Sequence, residues 1–125
     1  MNKSRQVVPI YTTKGDAEAF LVYPFIFNVM GEWIGWMDEN KKIFSVRGQY
    51  IGWLGNGPRI LRKRVADFNQ PSRTPPPRPR REKPIGSTPL APLMAELAYE
   101  TIDVLLDYPE LLYTYDSGEG VDDMD

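Results

Sequence analysis

Nine cations crowd one short stretch: Arg59, Arg62, Lys63, Arg64, Arg73, Arg78, Arg80, Arg81 and Lys83. They follow a segment rich in aromatic residues, among them Trp33, Trp36 and Trp53. Cations beside flat rings suit nucleic acid, where the charges neutralise phosphates and the rings stack on bases. Self-neutralisation is the competing reading. Residues 59–83 carry a net +7, whereas residues 84–125 hold ten carboxylates and no cation. Within the basic stretch, Pro76-x-x-Pro79-x-Arg81 has the spacing read by aromatic-grooved proline binders. A solvated spacer is the plainer account of it.

Acid and base chemistry is poorly supplied. There is no His and no Cys, which removes the commonest general base, the commonest transition-metal ligand and any thiolate site. Glu18 and Glu32 lie on or beside turns, in reach of an acid/base pairing that nothing else in the sequence selects. Phosphate loops, dinucleotide fingerprints and nucleophile elbows are missing. Asp116-Ser117-Gly118-Glu119-Gly120 lacks the alternating carboxylates of a calcium loop. The chain is therefore read as non-enzymatic, with no cofactor and no metal.

The elements that must carry these groups are visible as a repeat. Ile10-Tyr11-Thr12-Thr13-Lys14-Gly15 aligns with Ile26-Phe27-Asn28-Val29-Met30-Gly31 and with Ile43-Phe44-Ser45-Val46-Arg47-Gly48. The following residues align too: Ala19-Phe20, Gly35-Trp36 and Gly52-Trp53 occupy one position. A further step reaches Ile60, in a degenerate fourth unit with Val65 where the glycine should stand. β-Branched and aromatic residues around a short Gly-containing turn read as a hairpin. Turns at Asp38–Lys41 and Gly55–Pro58 join unit to unit. Small residues at 19, 35 and 52 predict close approach of another strand or ring. The rings of Phe20, Trp36 and Trp53 either converge on a core or line a groove. One hairpin is barely stable alone, so the units must close on one another.

The pattern I-[YF]-x-x-x-G-x-x-[IV]-[GA]-[WFY], repeated about four times and followed by a Pro- and Arg-rich tail, resembles the bacterial four-fold beta-flower family. The likeness covers roughly residues 7–66, most clearly at Ile43–Leu54 and Gly31–Met37. It implies a small all-β domain of repeated hairpins and carries no activity or site residue with it. The degenerate fourth unit leaves closure of the fourth petal open.

Four regions are expected: a hairpin β domain over 1–66, a Pro/Arg-rich linker over 67–87, an amphipathic acidic helical segment over 88–115, and a disordered acidic tail over 116–125. The linker composition favours an extended, solvated chain. For the helix, Thr88 is the cap and Pro89 the first helical residue. Leu90, Leu93, Met94, Leu97 and Leu105 follow helical spacing, with Glu96, Glu100, Asp103 and Asp107 on the other face. Pro109 ends the run. The fold class expected is mainly β, with a linker and one C-terminal helix. A protein partner or self-association is the leading expectation, through Leu93, Leu97 and Leu105 together with Arg62, Lys63, Arg64, Arg78, Arg80 and Arg81. Nucleic-acid binding through Arg59–Lys83 is the alternative. No apolar run approaches the ~20 residues of a membrane span, and no signal peptide follows Lys3 and Arg5, which favours the cytoplasm.

Overall fold

The computed structural model describes residues 6–65 and 70–116. One antiparallel sheet of eight strands, paired strictly in chain order, forms the body. The strands are β1 (Val8–Tyr11), β2 (Ala17–Val22), β3 (Phe25–Asn28), β4 (Trp33–Met37), β5 (Lys42–Ser45), β6 (Tyr50–Gly55), β7 (Arg59–Lys63) and β8 (Thr101–Asp103). A short helix α1 (Val104–Asp107) and a 3-10 turn (Pro109–Leu111) follow. The expected fold class holds: repeated hairpins, then one C-terminal helix.

Each of the first three petals is built alike. The glycine N–H donates to the carbonyl three residues earlier: Gly15 to Thr12, Gly31 to Asn28, Gly48 to Ser45. All three glycines have positive φ, near 90°, which closes the turn into the returning strand. The register slips at one repeat position, Ile10/Tyr11, Ile26/Phe27 and Ile43/Phe44, so each petal carries an equivalent irregularity. Side chains reinforce the turns. Asn28 Oδ1 accepts from the N–H groups of Met30 and Glu32, and Ser45 Oγ from those of Arg47 and Gln49.

The repeat-start isoleucines Ile10, Ile26, Ile43 and Ile60 all have 0% exposure. They meet with Ile34, Ile51, Val104 and Leu112 in one apolar cluster. The fourth unit is therefore formed, but not as a hairpin. β7 pairs with β8, which lies beyond the whole strap: Leu61 opposite Asp103, Arg62 opposite Ile102, Lys63 opposite Thr101. Val65 replaces glycine because no tight turn is made there. The ring is fastened to petal one by Tyr11 N–H donating to Pro58 O at 2.9 Å. Asp103 adds to the seam by accepting from both N–H and Oγ1 of Thr13 at 2.6 Å.

Residues 70–100 form a strap rather than a free spacer. Pro76, Pro79, Glu82, Ile85, Thr88, Ala91, Met94 and Leu97 are half-buried, and every residue between them is exposed. A period of three is that of polyproline II, so one edge of the extended chain lies on the domain. Arg73 N–H donates to Gly48 O, Glu82 N–H to Gly31 O, and Arg64 N–H to Glu100 O. Ala91 lies beside Gly15. The strap thus visits one petal tip every nine residues, at 73, 82, 91 and 100. Nine polyproline residues advance ~28 Å, a stride suited to stepping between petals.

The helical periodicity read from Leu90 onward is not realised as helix. Pro92 has no N–H to donate to Thr88 O and holds Ala91 extended, which blocks the first helical turn. Helix begins only at Val104, where the Asp103 carboxylate caps Leu106 N–H at 3.3 Å. Pro109 ends it as expected, by opening the 3-10 turn. Of the acidic tail expected over 116–125, all but Asp116 lies outside the described residues.

Candidate functional site

Three surfaces present chemistry: the cations of the basic stretch, the outer edges of the strap, and the groove between petals three and four.

Most of the cations hold the fold. Arg59 is buried and donates to Asn56 O at 3.0 Å and Thr13 Oγ1 at 3.1 Å. Arg62 donates to Ile51 O at 2.9 Å. Arg64 bonds Tyr99 O and lies 4.2 Å over the Tyr99 ring. Arg73 pairs with buried Asp38 at 3.3 Å and covers the Trp36 and Phe44 rings. Arg78 pairs with Asp116 at 3.4 Å and lies over Tyr115. Arg81 donates to Met30 O at 3.1 Å and lies 3.9 Å from Glu32. Lys63 and Arg80 are exposed. Self-neutralisation by the C-terminal carboxylates is limited among the described residues to Arg78 and Asp116. Asp38 and Glu32, the other partners, come from the petals.

The strap orients the remaining candidates. Pro76 and Pro79 are both half-buried on the edge of the strap that lies on the domain, while Arg81 of the same motif is exposed. Leu93, Leu97 and Leu105 do not share a face. Leu93 is fully exposed, Leu97 is a half-buried anchor, and Leu105 packs against the core. The residues displayed outward are Pro89, Leu90, Pro92 and Leu93, with Leu90 at 95% and Leu93 at 104% exposure. They occupy two adjacent edges of the three-sided strap. Spacing of three within Thr88–Leu93 carried this signal, but the same residues fit a helical template.

The groove between β6 and β7 has a volume of about 470 Å³ and is lined by Asn40, Lys41, Lys42, Tyr50, Trp53, Leu54, Arg62, Lys63 and Gln70. Lys41, Lys42 and Tyr50 were not singled out by sequence, because they reach the groove only through sheet pairing. The repeat aromatics divide between the core and the groove wall. Phe20 and Trp36 are buried in an aromatic cluster with Phe27, Trp33 and Phe44, while half-exposed Trp53 lines the groove.

Glu18 is exposed, and Glu32 is engaged by Asn28 Nδ2 at 2.9 Å and by Arg81. Among the described residues no group of three His, Cys, Asp or Glu is placed to hold a metal ion. No helix among them is long and apolar enough to cross a membrane.

Residues 8–101 match the family model described as 4-fold beta flower protein. That match runs through the petals and the full strap and ends at the first residue of β8. Comparisons with curated proteins and with solved structures give no match.

Proposed function

The chain belongs to the 4-fold beta flower family, and from that premise we propose that it is a non-enzymatic interaction module whose strap is read by a protein partner. One observation supports this above the rest. Leu90 and Leu93 are wholly exposed on a chain that is fixed on either side by the inward anchors Thr88, Ala91, Met94 and Leu97. Large aliphatic side chains held in water are unfavourable, at ~1.5–3 kcal/mol each relative to burial. Anchoring also removes the entropy that a free extended peptide loses on binding. With Pro89 and Pro92 on the neighbouring edge, the display has the shape taken up by aromatic-lined grooves. The petals serve as scaffold and the basic stretch as the fastening of the strap.

The test compares the full chain with Leu90→Ser/Leu93→Ser. Both positions are exposed, so melting should be unchanged. Cross-linking in extract of the source cell should recover a partner with the parent chain and lose it with the variant. A partner set and a solution mass that are both indifferent to Leu90 and Leu93 would overturn the proposal.

A further inference from the structure

The fourfold repeat provides its own reference for the groove at Trp53. At the first equivalent position Phe20 stacks on Phe27, with centroids 5.4 Å apart. At the second, Trp36 stacks on Phe44 at 4.6 Å. At the third the facing residue is Leu61, so the Trp53 ring has no aromatic partner across the strand pair. The strap treats the three places differently as well. Ile85 packs against the cluster that holds the rings of both the first and the second place, and Arg73 covers Trp36 and Phe44. At Trp53 the only described strap residue lining the groove is Gln70.

Among the described residues the charge around this ring is of one sign. Lys41, Lys42, Arg62 and Lys63 line the groove, and no carboxylate does among the described residues. Lys41 and Lys63 are exposed at its rim. Arg62 commits one nitrogen to Ile51 O, and Lys42 Nζ meets Gln70 Oε1 at 3.4 Å, which leaves further donors on both groups. Tyr50 stands at the wall, edge-on to Phe44 at 5.9 Å. Rings flanked by cations offer a stacking face and a phosphate site within one cavity.

We infer that this groove binds a nucleotide unit, with its base stacked on Trp53 and its phosphate held by Lys41, Lys42, Arg62 and Lys63. The chemistry is shared by a free nucleotide and by one unit of a single strand. An acidic peptide would satisfy the cations but would leave the Trp53 face unused. The site is separate from the strap edges proposed above, and either can fail without the other.

The experiment uses the full chain at low and then physiological salt. Tryptophan quenching is followed with adenosine monophosphate, and anisotropy with a labelled oligothymidylate; polyglutamate is the base-free polyanion. Binding of the mononucleotide identifies a free nucleotide as ligand, and binding of the oligonucleotide alone identifies a strand. Trp53→Leu should weaken the bound nucleotide species about tenfold or more. Lys41→Gln/Lys63→Gln removes two rim charges from exposed positions and should leave melting unchanged. For an oligonucleotide it should reduce the slope of log affinity against log salt by about 1.4, the value for two single-strand phosphate contacts. Arg80→Gln/Lys83→Gln, distant in the strap, should change little. The inference is overturned if neither nucleotide species binds at low salt, or if polyglutamate binds as tightly. It is also overturned if the distant pair weakens binding as much as the rim pair.

Discussion

Two glycines with the same backbone conformation separate the cost of a turn from the cost of displacing the strap. Gly15 and Gly48 have φ of 94° and 87° and close equivalent turns. Alanine at either position is forced into left-handed space, at ~1–2 kcal/mol. At Gly15 the new methyl would find the Ala91 Cβ at 3.9 Å, an ordinary contact. At Gly48 it would collide with the carbonyl of Arg73, which is backbone and has no rotamer to yield. The strap must lift there, and the Arg73 N–H bond to Gly48 O, 2.8 Å long, is lost with it. That bond adds ~0.5–1.5 kcal/mol. The Arg73–Asp38 contact also leaves a buried carboxylate without its cation. We expect Gly15→Ala to cost ~1–2 kcal/mol and Gly48→Ala ~2–4 kcal/mol, read from urea midpoints at constant slope. Hydrogen exchange at Arg73 N–H should accelerate in Gly48→Ala alone. Equal destabilisation by the two variants, with unchanged exchange at Arg73, would refute the packing of the strap on petal three.

Gly52→Val places a branched side chain against the carbonyl of Leu61 in the neighbouring strand; calorimetry should show a loss of ~3 kcal/mol or more, and a loss below ~1 kcal/mol would contradict the close strand approach. Asp103→Ala removes two bonds to Thr13 and the cap of α1, so the unfolding free energy read from denaturant titration should fall by ~3–4 kcal/mol, with Asp103→Asn intermediate. Limited trypsin digestion should cut slowly at Arg73, Arg80 and Arg81 despite their exposure, because cleavage requires release of anchors such as Glu82 and Ile85; rapid cutting at a rate independent of denaturant would show that the strap lies free.

The local devices of this fold were legible in the sequence. Strand alternation and the turn glycines at 15, 31 and 48 act within one unit, the isoleucines at 10, 26, 43 and 60 recur once in each unit, and repetition multiplied these weak signals. What stayed hidden depends on contacts between distant segments. β8 pairs with β7 across the entire strap, and the sole local sign was a missing glycine at Val65. The strap was harder still, because two periods overlap in it. Leu90, Leu93, Met94 and Leu97 satisfy helical spacing of 3.6, while Ala91, Met94 and Leu97 satisfy the polyproline spacing of three. Over so few residues the templates differ by little more than one position, and Pro92 alone discriminates between them. The tertiary structure chose the extended form because the petal tips offer backbone hydrogen bonds and a seat for every third residue. A helix of that length would bond its own backbone, but alone it is marginal in water and has no such seat. The same choice set Pro76 and Pro79 half-buried and carried Leu90 and Leu93 into solvent, and among the described residues the Trp53 ring has cations around it and no ring stacked on it.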